Sequence, residues 1–96
     1  MEIPTKQSPR ISNLEEEKTS VSLGSRVILF NDNEHTFEEV ISQIMKATKC
    51  SLIEARDKTF EVHVNGKAVV YLGELADCLR VSSVLEEILL HTQIDT

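Results

Sequence analysis

The chain has 96 residues, 16 of them acidic against 10 basic, for a net charge of −6, and 41% of its residues are hydrophobic. That length holds one small domain with a single modest core, and there is no room for a second. The acidic balance, with Lys and Arg scattered singly, excludes the basic stripe that nucleic acid requires, and no unbroken apolar run matches a signal peptide or a membrane span.

The N-terminal residues carry Pro4, Pro9, scattered Ser and Thr, and the acidic run Glu15, Glu16 and Glu17, with few apolar residues and no aromatic. Residues 1–24 are therefore expected to form a flexible tail, and 25–96 the folded domain. Val27, Ile28, Leu29 and Phe30 then read as a buried strand, which Asn31, Asp32 and Asn33 stop by bonding their own backbone. Thr36 and Glu39 have capping-box spacing, so a helix starts at Phe37; Phe37, Val40, Ile41, Ile44, Met45 and Thr48 recur on one face until it ends near Lys49.

Ser51 and Glu54 form a second box, opening a helix whose apolar residues Leu52, Ile53, Ala55, Thr59, Phe60, Val62 and Val64 cover more than one side. Such a helix is expected to pack against both a sheet and another helix. Asn65-Gly66 supports a left-handed backbone, Lys67 to Leu72 reads as a strand, and Gly73 breaks it. From Glu74 to Leu90 a third helix is expected, with Leu75, Cys78, Leu79, Ser82, Leu85 and Leu89 on its buried stripe; His91 to Thr96 is left as a short edge strand. The fold class is α+β: a small three-stranded antiparallel sheet packed against three helices.

Two readings of Asn31-Asp32-Asn33 stand side by side: a plain turn, or a turn whose spare oxygen acceptors hold a cation. Glu34 and His35 are expected to face solvent. No metal site or cofactor is read: His35, His63 and His91 are evenly spaced but far apart, whereas zinc ligands come in close pairs. Cys50 and Cys78, without a CxxC motif, read as reduced packing residues, and Cys50 has no identifiable partner for catalysis, so no enzyme is expected. With no apolar stretch of signal-peptide or membrane-span type, a cytoplasmic protein with no membrane partner is expected.

The strand, the Asn31-Asp32 loop, the helix opened by Phe37, and Val62-His63 followed by Gly66-Lys67-Ala68 together resemble the ClpS family, adaptors of Clp proteases that recognise N-degrons. The resemblance implies a protease adaptor that captures the free α-amino group and bulky hydrophobic first residue of an N-degron substrate and delivers it to a Clp family AAA+ unfoldase. By resemblance the amine is held by Asn31, Asp32 and His63, the last as a neutral imidazole offering a lone pair, and the first side chain enters a pocket of Phe37, Val40, Ile41, Thr59 and Val62. Such contacts imply micromolar-range affinity.

The chain also departs from the family pattern. Asn33 replaces a second acid, Thr59 replaces a bulkier apolar residue and is expected to make the pocket wider or more polar, and the final leucine that closes the pocket is not visible beyond Leu90. The acid and base that grip the unfoldase are matched only by Glu74 and, in one register, Arg80. These departures keep an alternative open: a diverged ClpS-like module that docks on a Clp chaperone or another protein without N-degron binding.

Overall fold

The computed structural model describes residues 24–96; the tail expected over 1–24 lies outside the described residues except for Gly24. The elements run β1 (Ser25–Phe30), α1 (Phe37–Thr48), α2 (Leu52–Asn65), β2 (Lys67–Gly73), α3 (Leu75–Glu86) and β3 (Thr92–Asp95). The sheet is antiparallel in the order β2-β1-β3, so the first strand is central.

Both capping boxes form. The Thr36 and Ser51 hydroxyls accept from the Glu39 and Glu54 backbone N–H groups, and each glutamate reaches back to its cap's N–H. These reciprocal bonds fix where both helices begin. Gly66 ends α2 with φ +86°, a left-handed conformation in which a side chain would be strained. Gly73 is β2's last residue, and a Cβ there would come within 2.9 Å of the Tyr71 ring. Opposite Val27 and Ile28 the pairing jumps from Tyr71 to Val69, so Val70 is an extra, bulged residue of β2.

The helices cover one face of the sheet. On β1, Val27 and Leu29 point into the core and are fully buried, while Ile28 and Phe30 on the other face are half-buried. The expected buried strand is thus buried on one side, and among the described residues no layer covers the other. Ile44 and Ala47 of α1, Ala55 and Val62 of α2, Ala68 and Val70 of β2, and Cys78, Val81 and Leu85 of α3 complete the core with Leu90. As its two-sided pattern predicts, α2 packs on both α1 and β2. Its outward residues Ile53, Phe60 and Val64 nevertheless remain exposed, so only the Ala55, Thr59 and Val62 stripe is buried.

The third helix is shorter than its pattern predicts. It stops at Glu86, and a turn over 87–89 follows in which Leu89 takes a positive φ of 69°. That reversal swings Leu89 to 85% exposure and turns Leu90 inward to 4%. Leu75 and Leu79, expected on the buried stripe, are exposed, and Val81 takes the inward place beside Cys78, Ser82 and Leu85. The correction follows from sheet geometry: β3 must run antiparallel beside β1, so the chain has to leave the helical direction before Leu90.

A bulky residue in the left-handed region is strained, and Leu89 also leaves its side chain in water. Leu89→Gly is therefore expected to stabilise the domain by about 0.5–1 kcal/mol in urea unfolding, the relief of strain outweighing the added unfolded-state entropy. A loss of more than about 1 kcal/mol would show that the Leu89 side chain makes a stabilising contact instead.

Candidate functional site

Where β1 ends, two hydrogen bonds hold the chain from opposite sides. Phe30 N–H donates to the His91 carbonyl at 3.0 Å, and Asn31 N–H donates to the Gly66 carbonyl at 2.9 Å. They bring the loop 31–36, the start of α1, the last turns of α2 and the segment after α3 around one cavity of about 260 Å³. Its apolar walls are Leu29, Phe37, Val40, Thr59, Val62 and Leu90, and its polar rim is Asn31, Asp32, Asn33, His35, Thr36 and His63.

Most of the residues singled out in the sequence meet here: Asn31, Asp32, His63, Phe37, Val40, Thr59 and Val62 all line the cavity. Ile41 does not. Successive helical residues turn by about 100°, so Val40 and Ile41 splay to opposite sides of Phe37; Val40 faces the cavity, and Ile41 faces a shallow outer groove with Leu52 and Phe60. Phe37 borders both hollows and meets His63 edge-on, with ring centroids 5.2 Å apart.

Three residues differ from expectation. Leu90, not singled out as a pocket residue in the sequence, supplies an apolar wall of the cavity. His35 is not in solvent: its side chain is 15% exposed, with Nδ1 2.8 Å from Asp32 Oδ2 and Nε2 2.6 Å from the Ile88 carbonyl. Thr59 does not make the wall more polar, because its hydroxyl donates to the Ala55 carbonyl at 2.8 Å. The sequence signal for Leu90 was the adjacent pair Leu89-Leu90, which cannot turn the same way along an extended chain. For His35 the only signal was a histidine three residues after an Asx-turn aspartate, and its second partner lies 53 residues away.

The polar groups divide into spent and unspent. The Asp32 carboxylate accepts from Glu34 N–H at 3.0 Å and His35 N–H at 3.1 Å as well as facing the His35 ring, so it shapes the loop. Partial burial opposes its charge, but these bonds from Glu34 and His35 together outweigh it and hold the carboxyl below its ordinary value. The Asp32 bond, reinforced by the Ile88 carbonyl, raises His35 against the smaller effect of burial. The Asn31 amide and the His63 ring have no hydrogen-bond partner among the described residues, and they border the apolar walls. Together they offer a donor and acceptors to a polar ligand whose apolar part enters the cavity.

Glu74 caps the start of α3 and Arg80 lies on it, and neither lines this cavity. Glu74 is the N-cap residue of α3 yet makes no side-chain cap bond, leaving its carboxylate exposed. Arg80 Nη1 donates to the Ala47 carbonyl at 3.0 Å, which ties α3 to the end of α1. Among the described residues no group of three or more His, Cys, Asp or Glu is disposed to hold a metal, and no helix is long and apolar enough to cross a membrane.

The model of the family described as "ATP-dependent Clp protease adaptor protein ClpS" matches residues 24–92. The chain belongs to the ClpS family. Among solved structures, Agrobacterium tumefaciens ClpS2 bound to L-phenylalaninamide is similar with a TM-score of 0.69 and 19% identity, covering 74% of this chain and 93% of that one. Among curated proteins, the E3 ubiquitin-protein ligases UBR1 of Drosophila melanogaster and UBR2 of Homo sapiens are 30% and 36% identical over 59 and 58 residues. These matches cover 62% and 60% of this chain but only 3% of each ligase. The ClpS-like domain here therefore corresponds to a small part of those enzymes.

Asp32 contributes stability that is fully present above its ordinary value of 3.8 and is lost as pH falls through its lowered value. Asp32→Ala is expected to cost about 1–3 kcal/mol at neutral pH, because three donors lose their acceptor. Urea unfolding followed into acid checks this: the wild-type and variant curves converge only once the pH is below the lowered value as well, and a gap that persists there contradicts the assignment.

Proposed function

We propose that this ClpS-family domain binds the free α-amino group and bulky hydrophobic first residue of N-degron substrates and delivers them to a Clp family AAA+ unfoldase. The single observation that carries the reading is the pairing of unspent Asn31 and His63 polar groups with an apolar cavity of about 260 Å³. An ammonium has three donors and no acceptor, so it needs oxygen or nitrogen lone pairs from several directions. The Asn31 amide oxygen and a neutral His63 supply two of them, and the Asn31 NH₂ remains free to donate to the first peptide carbonyl.

The volume supports a large first residue. An apolar cavity of roughly 150 Å³ takes up benzene, so this one has space for a phenyl or isobutyl group with its α-carbon. Thr59, where the family pattern has a bulkier residue, leaves that end roomy while keeping its hydroxyl bound to Ala55. The L-phenylalaninamide held by the Agrobacterium relative has the same chemistry, a free amine beside an aromatic side chain. Burying the side chain contributes on the order of 1.5–3 kcal/mol and each charge-assisted hydrogen bond about as much, which supports micromolar affinity.

Asp32 acts here through the loop, its carboxylate being engaged by Glu34 and His35. For docking to the unfoldase, Glu74 is the better candidate, since its carboxylate is uncommitted whereas Arg80 is bonded to Ala47.

Peptides beginning with free Phe or Leu should bind in fluorescence anisotropy with affinity in the micromolar range, and their acetylated copies should bind at least about tenfold more weakly. Equal affinity for both would sink the amine-recognition reading. Glu74→Ala should leave these affinities unchanged and reduce co-sedimentation with a Clp unfoldase; unchanged association would remove Glu74 from the docking surface.

A further inference from the structure

His35 faces two hydrogen-bond acceptors: the Asp32 carboxylate at 2.8 Å and the Ile88 carbonyl at 2.6 Å. A neutral imidazole has one N–H and one lone pair, and neither partner can donate to that lone pair. Both contacts are satisfied only when both ring nitrogens carry hydrogen. The bridge spans the cavity's construction: Asp32 belongs to the loop that presents Asn31, and Ile88 is two residues before Leu90, the wall on the opposite side. No other side-chain hydrogen bond among the described residues joins that loop to the segment 87–91.

We propose that His35 is a doubly protonated clamp that positions the Leu90 wall against the Asn31–Asp32 loop, so that loss of one ring proton loosens the binding cavity. The inference rests on the amine-binding reading only where it concerns peptide affinity; the clamp itself is a property of the free domain.

The surroundings favour the charged ring. On the loop, Asp32 and Glu34 are acids, and Glu39 at the start of α1 borders the same outer hollow as His35 and Ile88. His91 borders that hollow and His63 borders the cavity, and they are the other titratable nitrogens near the ring. No Lys or Arg lines either hollow. The sign follows: stabilisation by His35 is fully present below the ordinary value of 6.5 and is lost as pH rises through the raised value. The clamp therefore weakens on the alkaline side.

The test follows the His35 ring nitrogens by ¹⁵N NMR in the full chain without peptide, with His35→Gln identifying the signal. Both nitrogens should be protonated at about pH 6, with a midpoint above the ordinary histidine value, and the Leu90 methyl signals should move with that midpoint. In His35→Gln that Leu90 transition should be absent, since one amide group cannot donate in two opposed directions. Affinity for a peptide with a free N-terminal Phe is then measured for both proteins between about pH 6 and 8; the wild-type-to-variant ratio cancels titration of the peptide's own amine. The ratio should be roughly tenfold at the acid end and fall towards one as His35 loses its proton. A bare ring nitrogen at pH 6, Leu90 methyls indifferent to the His35 titration, or a ratio independent of pH would overturn the clamp. Failure of both proteins to bind any free-amine peptide would instead overturn the functional reading, with the ring and methyl signals still deciding the clamp.

Discussion

The candidate site depends on how the central strand ends. Phe30 and Asn31 each spend a backbone N–H outside the sheet, one on His91 and the other on Gly66, so the strand's last residues are gripped by the segment after α3 and by the end of α2. Buried backbone donors have to be paired, and here the pairing also fixes geometry. Gly66 can offer its carbonyl in that direction because its left-handed backbone ends α2 and turns the chain into β2. His91 can do so because the chain reverses at Leu89, a backbone strain tolerated where it brings Leu90 to the cavity. Three stretches distant in sequence thereby meet within one small domain.

Within that frame the polar residues separate by how much bonding capacity they have left. Asp32 is the most acidic-looking candidate in the sequence, yet its oxygens are occupied by the loop it shapes. Asn31 and His63 lie beside it with capacity to spare, and both border apolar walls. A site of this kind suits a ligand that is polar at one end and apolar at the other, because either half alone would gain only part of the binding energy. Asn33 is exposed on the rim, and the Asp32 carboxylate beside it borders the same cavity.

Local signals in the sequence were strong enough to set most elements. Thr36 with Glu39, and Ser51 with Glu54, set the starts of two helices because both halves of a capping box lie within one turn. Asn65-Gly66 placed the junction of α2 and β2 for the same local reason. Periodicity was less reliable at α3, where Leu75 and Leu79 fit a helical stripe but face water, and where Leu89 continued the pattern past the residue at which the chain has to turn. The residues of the candidate site most dependent on tertiary structure, His35 and Leu90, were not legible, since a bond to Ile88 and a wall opposite Val40 are set by strands and helices far apart in sequence. Ile41, placed in the pocket by resemblance, faces the outer groove instead, because Val40 and Ile41 diverge to either side of Phe37 along the helix.

The central claim is that one cavity, bounded by Asn31, His63 and the walls from Phe37 to Leu90, receives a free amine with its apolar side chain. Titration of the ¹⁵N-labelled chain with L-phenylalaninamide, followed by amide and methyl chemical shifts, tests it most directly. The account predicts saturable shifts concentrated at Asn31, Phe37, Val40, Thr59, Val62, His63 and Leu90, with residues of the outer groove such as Leu52 and Phe60 little affected. Shifts centred on that outer groove, or none at millimolar ligand, would contradict it.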